Sequence, residues 1–79
     1  MEHNYVYRME VYNYKTKMQS FEAFFSTKEK ADAFAKKKAE EMVGGEIEPQ
    51  TKEPSKTLYG IENSKGQLMA VAVSRLIVF

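Results

Sequence analysis

The side chains best suited to catalysis are few, and their positions do not favour it. A general base must be held in fixed geometry, yet the single histidine, His3, lies at the N-terminus. The single aspartate, Asp32, falls in a predicted helix, where it is expected to face solvent and pair with Lys36. Glu40 and Glu41 are adjacent, so they point about 100° apart on a helix and do not converge. We therefore predict that the protein is not an enzyme.

The sequence also lacks the patterns of metal and cofactor sites. There is no cysteine, which excludes thiolate ligands. No spacing of histidine, aspartate and glutamate matches a zinc or calcium site. The four glycines fit neither a phosphate-binding loop nor a dinucleotide-binding fingerprint. We predict no metal and no cofactor.

The lysines of the predicted helix suggest a phosphate-binding surface as one hypothesis. Phosphate contacts supply most of the non-specific affinity for nucleic acids, and they need clustered positive charge. Here the net charge is only +1, and Glu29, Asp32, Glu40 and Glu41 offset the lysines. A solvated helix face is the simpler interpretation. Nucleic-acid binding remains an alternative, and it requires one common surface for Arg8, Lys15, Lys17, Arg75 and the helix lysines Lys28, Lys30, Lys36, Lys37 and Lys38.

Tyrosine is concentrated in the first predicted strand. Aromatic side chains on a sheet can stack on bases, but they also bury large areas in protein interfaces. Recognition of bases normally comes with an excess of arginine and lysine. This strand offers only Arg8, and Glu10 shares its face. A protein interface or a core is therefore the favoured role of these tyrosines.

Periodicity and capping signals predict an α+β fold with the order β-β-α-β-β. Ser26 or Thr27 can cap the helix, and Ser26 with Glu29 matches a capping box. Gly44 is suited to end the helix, and Gly66 is suited to a bulged hairpin turn. We predict a single domain over residues 1–79 and a four-stranded, mainly antiparallel sheet with the helix on one face. The predicted bounds are strands at about 4–14, 18–25, 57–62 and 67–79, a helix at about 27–43 and a loop at 44–56.

Both long strands are apolar on two sides, although one helix can cover only one side of a sheet. In the first strand Tyr5, Tyr7, Met9 and Val11 share a face, because side chains alternate along a strand. We predict that this face forms the core, a choice that a one-residue slip of register would reverse. The two long strands should be central, in the order 2-1-4-3, and their relative direction is left open. The second face of the sheet must then be covered by a second copy of the chain or by another partner.

These features predict a small, non-catalytic protein-binding module that forms a homodimer through an exposed sheet face. A charge near zero favours association with proteins, including itself. The biological target would be another, unidentified protein. A further alternative is a small-molecule-binding domain with a pocket at the helix–sheet seam or the dimer seam. The predicted interface residues are Arg8, Glu10, Tyr12, Tyr14, Tyr59, Arg75, Ile77 and Phe79.

In size, lack of cysteine and order of elements the chain resembles accessory proteins of phages and mobile elements, including inhibitors of host defence systems. The resemblance implies an accessory or inhibitor role. The N-terminal segment has no apolar stretch of signal-peptide length. No run approaches the roughly 20 apolar residues of a membrane helix. We therefore expect a cytoplasmic protein that does not bind membranes.

Overall fold

Two long strands pair along their whole length and carry the rest of the sheet. The computed structural model describes residues 4–78. They form five strands and one helix, and neighbouring strands are antiparallel in the order β2-β1-β5-β4-β3. The α+β class is therefore confirmed, as are the central positions of the two long strands. The elements are β1 (Asn4–Asn13), β2 (Gln19–Phe25), α1 (Lys28–Val43), β3 (Thr51–Glu53), β4 (Lys56–Glu62) and β5 (Leu68–Val78).

The sheet has five strands where the sequence predicted four. The additional strand, β3, lies inside the predicted loop 44–56 and pairs with the start of β4. Its three residues are polar, so they lack the alternating apolar pattern that indicates a half-buried strand. The Gln50 backbone N–H donates to the Leu58 carbonyl oxygen at 2.8 Å and extends the pairing by one residue. The order of elements is thus β-β-α-β-β-β.

The helix begins and ends at residues that satisfy its free backbone groups. The Thr27 side chain is the N-cap and accepts a hydrogen bond from the Lys30 backbone N–H at 3.2 Å. The predicted box with Ser26 is thus not the cap that forms. Gly44 ends the helix with φ of 80°, a left-handed conformation that favours glycine. Within residues 4–78, no helix has the length and apolarity needed to cross a membrane.

The core lies between α1 and one face of the sheet. Met9 and Val11 of β1 are buried there, together with Val71 and Val73 of β5. This confirms the predicted core positions of Met9 and Val11, and Tyr7 packs against the core. The prediction was wrong for Tyr5, which is 39% exposed because β1 there extends beyond the neighbouring strand β2. The helix contributes only small side chains to full burial, and small side chains let a helix approach a sheet closely. These side chains are Ala31, Ala35 and Ala39.

A polar cluster lies beneath the first turns of the helix. Lys28 Nζ donates to Asp32 Oδ2 at 2.7 Å and to Thr57 Oγ1 at 2.7 Å. The predicted partner of Asp32, Lys36, is therefore wrong, and so is its expected solvent exposure, since its side chain is only 17% exposed. Thr57 is fully buried, and a buried hydroxyl favours a hydrogen-bond partner. Lys28 supplies that hydrogen bond and draws Asp32 toward the sheet.

Candidate functional site: the open face of the sheet

The sheet face opposite α1 is covered by no helix among residues 4–78. Residues that oppose each other in antiparallel strands share a face. Because Met9 and Val73 oppose each other in the core, their neighbours in sequence point to the other side. We call that side the open face. It comprises Asn4, Val6, Arg8, Glu10 and Tyr12 of β1, Glu22 and Phe24 of β2, Lys56, Leu58, Gly60 and Glu62 of β4, and Leu68, Ala70, Ala72, Ser74, Leu76 and Val78 of β5.

An ionic cluster occupies the β1–β2 side of the open face. Arg8 Nε lies 3.4 Å from Glu10 Oε2, and Arg8 Nη1 lies 3.9 Å from Glu22 Oε2. The Gln19 side-chain amide donates to both carboxylates, at 3.0 and 3.3 Å. Two carboxylates thus share one guanidinium, which leaves a surplus negative charge. Partly exposed pairs of this kind add little to stability.

A lysine from the β1–β2 turn lies over the two tyrosines at the end of β1. Lys17 Nζ is 4.5 Å from the ring centroid of Tyr14 and 5.7 Å from that of Tyr12. Such cation–π contacts are worth about 0.5–1 kcal/mol at exposed sites. Tyr14 remains 54% exposed. It forms one rim of the open face.

Next to Tyr14, the β4–β5 side of the open face contains an apolar groove. Gly60 and Ala70 oppose each other, and their small size leaves a depression of about 380 Å³ between larger neighbours. Leu58 and Leu68 line it, with Tyr14, Gln50 and Glu62 among the other lining residues. Leu68 is 45% exposed. The groove is open to solvent on one side and therefore has the form of a docking surface.

Glycine at position 60 allows the chain before β3 to pack on the groove. A Cβ atom added to Gly60 would lie 2.5 Å from the Gln50 side-chain nitrogen. Gln50 therefore lies almost directly on the β4 backbone. A larger residue at position 60 would displace Gln50 and reduce the groove.

At the other end of the sheet, two strand ends project beyond their neighbours. The pairing of β1 with β2 stops at Tyr7, and that of β4 with β5 stops at Ser74. Residues 4–6 and 76–78 therefore pair only with each other, and we call them the arm. A two-stranded ribbon is only marginally stable in water, yet this one is apolar on both sides. Tyr5 and Ile77 lie on the helix side, and Val6, Leu76 and Val78 lie on the open face.

The structure divides the predicted interface residues between the two faces. Arg8, Glu10 and Tyr12 lie together on the open face, and Tyr14 lies at its rim. The other predicted residues are elsewhere. Tyr59 is in the core and only 4% exposed, Arg75 and Ile77 lie on the helix side of β5, and Phe79 lies outside the described residues.

Alternation along the strands explains this division. Tyr59 opposes Val71, a core residue, so it cannot reach the open face. Arg75 lies with its Cζ atom 4.5 Å from the ring centroid of Tyr5 on the helix side. The open-face residues that the prediction omitted include Phe24 and Leu58. Their even positions in β2 and β4 are a signal, but its use requires the register between strands.

The open face carries both charged side chains and apolar area. Within residues 4–78, no cluster of three or more potential ligands is placed to hold a metal ion. Burial raises the pKa of Tyr59, with further contributions from the negative charges of Asp32, Glu40 and Glu48. The phenol is therefore kept neutral. It lies in the core, away from the open face.

The basic residues do not form one surface. Arg8 lies on the open face and Arg75 on the opposite side of the sheet. Lys28 is engaged in the polar cluster beneath the helix, and Lys38 Nζ lies 5.1 Å from the ring centroid of Phe21. The convergence that nucleic-acid binding requires is not met by these residues.

Comparison with protein-family models, curated proteins and solved structures yields no match to this chain.

Proposed function

We propose that this protein is a small, non-catalytic protein-binding module that forms a homodimer through the open face. The observation that carries the proposal is the uncovered sheet face, with its groove at one end and the arm at the other. Large exposed apolar patches on soluble proteins usually mark interaction sites. The accessory or inhibitor role that the sequence predicts remains part of this proposal.

The exposed area supports this proposal. The accessible surface is 5522 Å², whereas a folded monomer of 9.1 kDa exposes about 4,900 Å². Four strand spacings and about seven residues of length give the open face a footprint of about 20 by 23 Å. Biological interfaces bury at least about 500 Å² on each partner. The footprint of about 460 Å² is close to this lower limit, so a dimer would use the whole open face and leave no room for a second interface on the same side.

The groove also favours a second candidate function, the binding of a small apolar molecule. Its volume of about 380 Å³ lies within the range of about 300–1,000 Å³ for ligand sites. On a single chain one side of the ligand would be exposed, since the groove is open to solvent on that side. This function therefore also depends on a second copy, at the dimer seam.

The test is the mass of the protein in solution. Sedimentation at micromolar concentration should give about 18 kDa, twice the 9.1 kDa of one chain. Leu68→Lys should give a monomer, because a charge would enter the apolar interface. Val43→Lys is the matched control, since Val43 is 42% exposed on the helix and Leu68 is 45% exposed on the open face. A wild-type species of 9 kDa would refute the homodimer.

A further inference from the structure

We infer that the second copy stacks face to face with each long strand antiparallel to its own counterpart, so that the arm of one copy covers the groove of the other. This inference rests on the proposed homodimer and specifies its geometry. It also assigns a role to the arm, whose open-face side is covered by no other element among residues 4–78.

The two ends of the open face are complementary in size. At the arm end, Leu76 and Val78 project beyond the neighbouring strands, and Val78 is 48% exposed. At the groove end, the Gln50 side chain packs on Gly60, and the remaining depression of about 380 Å³ lies between Leu58, Leu68 and Tyr14. Packed interfaces approach the density of protein interiors, so large side chains on one surface should meet small ones on the other. The surface that best fits the groove is therefore another copy of the arm.

Symmetry determines how this contact can form twice. Dimers of identical chains are usually two-fold symmetric. If one patch of the first copy contacts another patch of the second copy, the same contact therefore forms a second time with the two copies exchanged. Suppose that the two-fold axis lies between the two stacked sheets and at right angles to the strands. Each strand then runs antiparallel to its counterpart in the other copy. Each arm then lies over the groove of the other copy. An axis parallel to the strands would instead place arm on arm and groove on groove, and both grooves would lack large side chains.

The charges at the centre favour the same arrangement. Met9 opposes Val73 in the pairing of β1 with β5, and this level is midway along both strands. With the axis at this level, Arg8 lies over Glu10 of the second copy, and Val78 lies over Leu68 of the second copy. Each guanidinium then gains a carboxylate from the other chain. Glu22 lies on the outer strand β2, at the polar rim where water can solvate it.

Cross-linking of single cysteines tests the geometry, because the natural chain has none. Leu68→Cys and Val78→Cys are made separately and mixed under reducing conditions to allow exchange. They are then treated with a bis-maleimide that spans the about 10 Å between stacked sheets. The mixture should yield cross-linked dimer, and either variant alone should not. Identical positions would lie about 33 Å apart, since ten residues separate 68 from 78. Val43→Cys replaces Val78→Cys in the control mixture and should give no product.

A charge exchange provides a second, independent measurement. In a homodimer of Arg8→Glu, positions 8 and 10 are both acidic, so the two acids of one copy face the two acids of the other. In a homodimer of Glu10→Arg, both positions are basic, so the two bases of one copy face the two bases of the other. Each change should weaken self-association about tenfold or more, because like charges in an interface are strongly unfavourable. An equimolar mixture should recover the dimer as a heterodimer. Thermal unfolding checks that each variant is folded before the masses are compared.

Each outcome separates this inference from the proposed function. A 68–78 link in the mixture, with recovery by charge exchange, supports the antiparallel stack. A 68–68 link in Leu68→Cys alone overturns it. A dimer of 18 kDa with neither link also overturns it, for example if the β2 edges pair, while the homodimer stands. A monomer under all conditions overturns both.

Discussion

Removal of the Asp32 carboxylate should destabilise the fold more than removal of an exposed acid from the same helix. Asp32→Ala leaves the Lys28 ammonium with the Thr57 hydroxyl as its remaining partner. Loss of one member of a buried ion pair costs about 3–5 kcal/mol, whereas exposed pairs contribute about 1 kcal/mol or less. The Lys28 and Asp32 side chains are 16% and 17% exposed, so Lys28 can partly reach water. We therefore expect a loss of about 2 kcal/mol, between these limits.

Equilibrium unfolding in urea measures this loss, read at constant slope so that the midpoint reports stability. For a domain of this size, about 2 kcal/mol lowers the melting temperature by roughly 8–16 °C. Glu29→Ala is the matched control, since it removes the same charge from an exposed position in the first helical turn. It should cost no more than about 1 kcal/mol. Equal losses in the two variants would show that the Lys28–Asp32 pair is solvated and would refute the reasoning.

Two further predictions concern single side chains. The raised pKa of Tyr59 means that the folded state holds the phenolic proton more tightly than the unfolded state does. The resulting stability is fully present below the ordinary tyrosine pKa of about 10 and is lost as pH rises above it. Tyr59→Phe should therefore lose less stability than wild type between pH 9 and 11, and an absorbance titration should show that the phenol absent from this variant ionises above the ordinary tyrosine pKa. Parallel losses in both proteins would contradict the assignment. Thr27→Ala should lower the free energy of unfolding in urea by about 1 kcal/mol, because it removes the N-cap acceptor of the Lys30 N–H. Ser26→Ala is the control and should be nearly neutral. Similar losses in both variants would show that Thr27 is not the N-cap.

Elements with local signals were predictable from the sequence. The helix bounds follow from Thr27 and Gly44. The Thr27 side chain caps the first turn of the helix, and Gly44 adopts the left-handed conformation that ends its last turn. The long strands follow from their alternation and residue types. By contrast, β3 has only three residues and no apolar pattern. It exists because the start of β4 offers backbone partners.

Interactions between distant residues were not predictable. The pairing of Asp32 with Lys28 depends on Thr57, which lies 29 residues from Lys28 in the chain. Within the helix alone, Lys36 is the better partner for Asp32, because an acid four residues before a base is the more favourable order. The buried hydroxyl on β4 favours Lys28 instead. Only the packing of helix on sheet brings that hydroxyl near.

The sequence by itself determined which residues share a face of each strand, because alternation is a local property of extended backbone. Met9 and Val11 had to lie on one face of β1, and Arg8 and Glu10 on the other. Which strands pair, and in what register, was decided by the tertiary structure. That register places Tyr59 opposite Val71 in the core. It also brings the arm and the groove to opposite ends of one open face, because strand pairing joins segments that no local pattern relates.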